Sequence, residues 1–314
     1  MTTGAEVLIL DAVSVGLEEQ DLLDRLADHR VTAHWCDESR LGFAAEPLGL
    51  WYEGRPLPLP AVVLVRSRAY TRAADCYQVF DCLRMLEAAG TTVLNTPDAI
   101  QRAHNKLLAC ALLARAGVPV PPTRAIRTVE EAGACLRRWR DVVFKPALSH
   151  SKVGLVRTHL LEPQAPDTPS GVSPHQEIQL WHLLREHRTL CAQPYIAHDD
   201  EELRVLVING AVVSCTARTT LFTDLDGQAS HIGYEVSAAD LTPALAEVTT
   251  AATRAFGLHH AAVDLLNGPK GPVVLEVNPV ISMWRDLDAA GLHLSPKGVG
   301  AAVAGMVADH LRER

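Results

Sequence analysis

Two short apolar segments near the C-terminal end, Ala262-Val-Asp264-Leu-Leu and Val274-Leu-Glu276-Val-Asn278, constrain this chain more than any other feature. Alternation along a strand puts Glu276 and Asn278 on one face and their apolar neighbours against a core, and Asp264 on an adjacent strand reaches the same site. Two carboxylates and an amide are hard oxygen donors of the kind that suit magnesium, which completes its octahedron with water or phosphate oxygens. Taken alone, these residues equally fit the polar edge of an ordinary hairpin.

Upstream residues shift that balance. Phe144-Lys145-Pro146 ends a strand and runs into Ala147-Leu-Ser-His-Ser-Lys-Val-Gly154, whose backbone N–H groups suit phosphate oxygens while Lys145 supplies a point charge. A second lysine, Lys106, opens a helix directly after Asn105. Either lysine by itself reads as a surface group; the order Lys106, Lys145, Asp264, Glu276, Asn278 carries the weight.

The rest of the chain reads as α/β (α+β) layers. Strands are expected over 6–10, 31–36, 61–66 and 92–94, with helices over 17–29 and 73–89, so the first hundred residues form a small α/β lobe. The helix from Lys106 ends at Gly117, and Val118-Pro-Val-Pro-Pro122 cannot continue it. A helix over 128–139 and a strand over 142–145 follow, then an irregular stretch, Leu161 to His175, read as a connector or a lid. Strands at 190–195, 203–208 and 211–218, a helix over 241–256 and strands at 261–266 and 272–277 complete the pattern. Three lobes are expected: 1–103, 104–188 carrying the phosphate loop, and 189–314 carrying the metal site.

Composition limits the partners. The 314 residues carry a formal charge of −8 with no isolated basic cluster, which leaves nucleic-acid and anionic-membrane binding without an electrostatic footprint. Seven scattered cysteines without a C-x-x-C pair read as reduced, small hydrophobes. The start, MTTGAEVLILDAVSVG, lacks the form of a secretion signal, and no window reaches the length of a membrane span, so a cytoplasmic protein is expected.

From Asn95 to about Gly291 the chain resembles the RimK and LysX group of ATP-grasp carboxylate–amine ligases. Leu94-Asn-Thr-Pro-Asp-Ala-Ile100, Asn105-Lys106 and Ala116-Gly-Val-Pro-Val-Pro-Pro-Thr123 carry the likeness. The resemblance implies an N-terminal pre-ATP-grasp domain ahead of two ATP-grasp lobes, with Lys106 and Lys145 as the ATP-binding lysines. It implies adenine recognition by the backbone of Gln193-Pro194-Tyr195, ribose binding by Glu202, and an Arg218 that faces the transferred phosphate. Asp264, Glu276 and Asn278 take the magnesium positions, with Glu276 bridging two ions.

Three departures matter. The phosphate loop is poor in glycine, Pro194 replaces the hinge glutamate, and the family's Asn-x-x-Arg-Gly-Gly segment is absent where this chain reads Thr219 to Gln228. Glutamate specificity is therefore not implied. The expected function is ATP-dependent amide formation through an acyl phosphate, on amino-acid or peptide substrates or an acceptor or carrier protein, with a homodimer common among similar enzymes. The alternatives are a catalytically degenerate ATP-binding regulatory module, and an ATP-grasp kinase or carboxylase acting on a small acid.

Overall fold

The structure, a computed structural model, describes residues 6–11, 16–46, 48–66, 73–148, 155–160, 173–198, 201–225, 228–282 and 284–314. The expected phosphate loop, residues 149–154, and most of the expected irregular stretch, 161–172, lie outside these.

The chain opens with β1 (Val7–Asp11), α1 (Leu17–Asp28) and β2 (Ala33–Asp37). A small antiparallel sheet of β3 (Leu41–Ala45), β4 (Leu48–Tyr52) and β5 (Arg55–Leu57) was not expected from the sequence. Then come β6 (Val62–Val65), α2 (Ala73–Ala88) and β7 (Thr92–Leu94). Strands β2, β1, β6 and β7 form a parallel sheet in that order. Every residue of β1 and β6 is buried, as a parallel sheet covered on both faces requires.

Helices α3 (Pro97–His104) and α4 (Lys106–Arg115) follow, each with its start fixed by a side chain. The Thr96 hydroxyl accepts from the Ala99 N–H, and the Asn105 carbonyl oxygen accepts from the N–H groups of Leu107 and Leu108. Lys106 is thereby held at the first position of α4.

The central sheet is antiparallel, in the order β10 (Val156–His159), β9 (Asp141–Pro146), β11 (Leu190–Pro194), β8 (Arg124–Ile126). Helices α5 (Val129–Trp139) and α6 (Pro174–His187) pack against Val142, Phe144, Leu190 and Ala192 on one face. Because β11 pairs with β8 and β9, this sheet runs past the lobe boundary expected at residue 188.

The last sheet is antiparallel, in the order β14 (Gln228–Ala238), β13 (Ala211–Leu225), β12 (Glu201–Ile208), β15 (His260–Gly268), β16 (Gly271–Asn278). The strand expected to stop at Arg218 continues to Leu225 and returns as β14, which the sequence reading did not anticipate. Helix α7 (Pro243–Phe256) covers the face that carries Val205, Val207, Val263 and Val277. Helices α8 (Trp284–Ala289) and α9 (Val299–Arg312) end the chain. Although α9 falls within the third expected lobe, it packs with α1 against Val7, Ile9, Val62 and Leu64, and Leu206, Ile208 and Ala262 join the same core. The first and last sheets therefore share one apolar interior.

Two polar knots fix that junction. Asn95 is fully buried; its amide donates to the carbonyls of His260 and Pro279 and its oxygen accepts from the His259 and His260 N–H groups. Arg66, 4% exposed, donates to Glu19 (2.8 Å), Glu18 (3.2 Å) and the Ile281 carbonyl, lies 3.6 Å from Asp11, and stacks on Trp284 at 4.0 Å. Cys36, Cys82, Cys110, Cys135, Cys191 and Cys215 are all buried free thiols, and burial pushes Cys36 and Cys191 up to about 12, the behaviour expected of packing residues. Among the described residues no helix is long and apolar enough to cross a membrane.

Replacing Asn95 by Leu strands four backbone groups in the interior, and unsatisfied buried groups cost about 1–3 kcal/mol each. We expect a loss of roughly 3 kcal/mol or more, read as a lower midpoint in urea unfolding. Burial, with help from His259 and Arg66, pushes the His260 imidazole from 6.5 down to about 3. The unfolded chain takes up a proton there that the fold refuses, so this contribution is full above about pH 6.5 and is lost as pH falls toward 3. In His260→Leu the fall in stability between pH 7 and pH 5 should be smaller than in wild type; an identical slope would rule out this assignment.

Candidate active site

The site is laid out by strand register. Arg204 on β12 stands directly opposite Asp264 on β15, and Asp264 stands opposite Glu276 on β16. One step along, Glu202 on β12 faces Arg218 on β13. Leu275 has no partner on β15, because the ladder passes from Asp264↔Glu276 to Leu265↔Val274. That bulge lets Val274 and Val277 enter the apolar core while Glu276 and Asn278 face the site, the kind of redirection for which bulges are used near functional residues.

Side-chain contacts join these positions. The Arg204 guanidinium grips Asp264 with two parallel bonds, Nε to Oδ1 at 2.6 Å and a terminal nitrogen to Oδ2 at 2.7 Å. The Asn278 amide donates to the same Oδ2 at 2.9 Å. Lys106, 8% exposed, brings Nζ to 3.2 Å from Glu276 Oε1, and its backbone N–H donates to the Ala147 carbonyl beyond β9. Lys106 thus sits at the joint between the central and C-terminal sheets.

Arg218 is also buried, and its guanidinium lies 5.2 Å from the centre of the Tyr234 ring. Burial first, and the neighbouring Arg204 second, lower its pKa to about 10, so it stays cationic at neutral pH. Its Nε has no hydrogen-bond partner among the described residues. For Arg204 burial is again the largest single influence and acts downward, but the charge and hydrogen bonds of Asp264, with Glu276 beside it, together turn the net shift upward.

On the central sheet Lys145 lies opposite Cys191, on the half-buried face of β9 that α5 and α6 leave uncovered. Gln193 turns its side chain inward, donating to the Thr123 hydroxyl at 2.9 Å and to Cys110 Sγ at 3.4 Å, which leaves its backbone for any recognition role. Pro194 pairs with Val142, and the Tyr195 N–H donates to the Asp141 carbonyl. The Tyr195 ring lies under Arg157 at 3.3 Å, and Arg157 in turn forks Asp141.

The expected residues therefore divide into Asp264, Glu276, Asn278, Lys106, Arg218 and Glu202 around one sheet face and its edge, and Lys145, Gln193, Pro194 and Tyr195 on the central sheet. Sequence reasoning singled out Glu202 on this strand and missed Arg204 and its grip on Asp264. Its place two residues from Glu202 on one strand was the available signal. Among the described residues no three His, Cys, Asp or Glu side chains converge as a metal cage. A cation here would draw on two carboxylates and the Asn278 amide.

Residues 103–290 match the family described as the RimK-like ATP-grasp domain. A tetrahydromethanopterin:alpha-L-glutamate ligase of Methanosarcina acetivorans is 34% identical over 231 residues, covering 68% of this chain and 71% of its own. A ribosomal protein bS6–L-glutamate ligase of Salmonella schwarzengrund is 27% identical over 259 residues, 81% of this chain and 77% of its own. The ATP-grasp ligase PsnB, solved with a minimal precursor, Mg and ADP, shares the fold at a TM-score of 0.71 over 99% of both chains with 18% identity. With three-fifths of its length matched, this chain belongs to the RimK-like ATP-grasp family of ATP-dependent carboxylate–amine ligases.

Proposed function

We propose that this enzyme binds magnesium–ATP between its central and C-terminal sheets and uses it to join the carboxylate of an amino acid or peptide to an amine. One observation carries the reading: Asp264, Glu276 and Asn278 converge on one sheet face, with Lys106 reaching them from the central side and a buried Arg218 two strands from Asp264, on β13. The donor set fits magnesium, being hard oxygen throughout and too small to complete an octahedron without phosphate or water. Asp264, Glu276 and Asn278 would hold two ions, with Glu276 shared, and magnesium would supply neutralisation of phosphate charge.

In this reading the backbone of Gln193-Pro194-Tyr195 takes the adenine edge and Glu202 the ribose hydroxyls. Lys106 and Lys145 take phosphate oxygens. A substrate carboxylate oxygen attacks the γ-phosphorus, ADP departs with the bridging oxygen, and Arg218 meets the charge that grows on the transferred group. The amine lone pair then attacks the acyl carbon, the C–O bond to phosphate breaks, and the departing phosphate takes up the proton that the nitrogen sheds as the amide forms. The three-lobe division goes with this scheme, with the central lobe ending after Pro194 rather than at residue 188. The relatives named as glutamate ligases support an amino-acid substrate, and the bS6 ligase supports a peptide or protein acceptor.

Phosphate release from magnesium–ATP, followed over amino acids singly and in pairs, should require both a carboxylate and an amine donor and should vanish in Glu276→Ala. A stable phosphorylated acid would point to a kinase, and nucleotide binding with no turnover on any pair to a regulatory module. Arg218→Met should lower kcat by about 10²–10³-fold while the KM for ATP moves far less, because Arg218 is assigned to charge that appears only during transfer. A KM effect without a kcat effect would move Arg218 out of that role.

A further inference from the structure

The two carboxylates read as metal ligands are each held by a cation from the chain itself. Asp264 accepts three hydrogen bonds, two from Arg204 and one from Asn278, and Glu276 pairs with Lys106. A carboxylate offers about four lone-pair positions, so three of those on Asp264 are taken. A divalent ion bound there would also stand beside a guanidinium that is within bonding distance of both oxygens. Glu202, Asp264 and Glu276 are matched in number by Lys106, Arg204 and Arg218 around the same face.

We propose that Arg204 is a positioning residue that occupies the metal site before loading: its fork holds Asp264 in place and competes with the divalent ion, and nucleotide phosphates relieve the competition by offering the fork another anion. This rests on the reading of the face as the magnesium–nucleotide site. The inference follows from register, since β12 and β15 set Arg204 against Asp264 whatever the substrate. The metal-competent form is then a minor fraction of the empty enzyme, and apparent metal affinity is reduced by that fraction. Metal and nucleotide therefore favour each other's binding, and Arg204 is the source of that coupling.

The test is Mn²⁺ binding, followed by the loss of the free-ion EPR signal, for wild type, Arg204→Gln, Arg204→Lys and Asp264→Asn, each without nucleotide and with ADP. Without nucleotide, Arg204→Gln should bind Mn²⁺ tighter than wild type by roughly tenfold or more, since a charge-assisted fork no longer has to open first. Arg204→Lys, which keeps the charge but loses the second bond, should fall between them and serves alone if the glutamine variant does not fold. In melting experiments without metal, Arg204→Gln should unfold at lower temperature than wild type and recover more on adding Mn²⁺. Equal or weaker nucleotide-free Mn²⁺ binding in both variants, with wild type still binding Mn²⁺ in an Asp264-dependent way when ADP is present, would overturn the competition. If instead Asp264→Asn leaves Mn²⁺ binding with ADP unchanged, the site reading itself fails.

Discussion

Carboxylates drawn partly out of water and set side by side call for a counter-charge, and in this protein that requirement organises the seam between two sheets. Asp264 and Glu276 stand side by side across β15 and β16, and their repulsion is answered by Arg204 within the sheet and by Lys106 from outside it. A part-buried pair of this kind adds little net stability, but losing one partner leaves the other as a charge compensated only by the water that still reaches it. The geometry of the seam is thus fixed less by attraction than by the penalty for leaving it. Because Lys106 begins α4 and its backbone N–H bonds to Ala147 past the end of β9, the same constraint sets the central sheet against the C-terminal one.

The N-terminal lobe is tied to this seam by a different chemistry. Asn95 satisfies backbone groups at the start of β15 and just past the end of β16, so the two strands that carry the carboxylates are anchored at their site ends by a residue from the first lobe. Arg66 and Trp284 repeat the device from the end of β6 to the segment beyond Asn278. The apolar core then runs without a break from β1 through α9 to β12, which makes the C-terminal helix part of the first lobe in packing although it is last in sequence. A site that holds charges to within a few tenths of an ångström needs such a second layer of support.

What the sequence disclosed follows from the range of its signals. Strand alternation is local, and it correctly put Glu276 and Asn278 on a common face with Asp264 within reach. Caps are local too, and Asn105 before Lys106 marked the start of α4. Register between strands is set by pairing over distances of sixty residues, so the grip of Arg204 on Asp264 could not be read from either strand. Gln193 reads like a hinge residue, yet its side chain turns inward because Thr123 and Cys110, remote in sequence, offer it partners. The long β13–β14 hairpin was hidden because Thr219 to Gln228 is largely polar and lacks a clean period of two. Helix α6 was hidden by the Pro- and Ser-rich run that ends at its Ser173 cap.

Arg218 shows how the seam and the chemistry are linked. A guanidinium that is desolvated, set beside a second guanidinium and left with an Nε that finds no partner among the described residues carries an electrostatic cost, which lowers its pKa to about 10. Such an arrangement weakens the fold unless an anion arrives, and an anion that gains charge during reaction relieves it most. The pairing of Arg204 with Asp264 bears on the same balance: while its fork holds Asp264, Arg204 is partly neutralised, and in the proposed competition a metal on Asp264 would free that fork for nucleotide phosphate. Bound phosphate relieves part of this cost, and the further relief that comes with negative charge developing on the transferred group lowers a barrier rather than merely tightening binding.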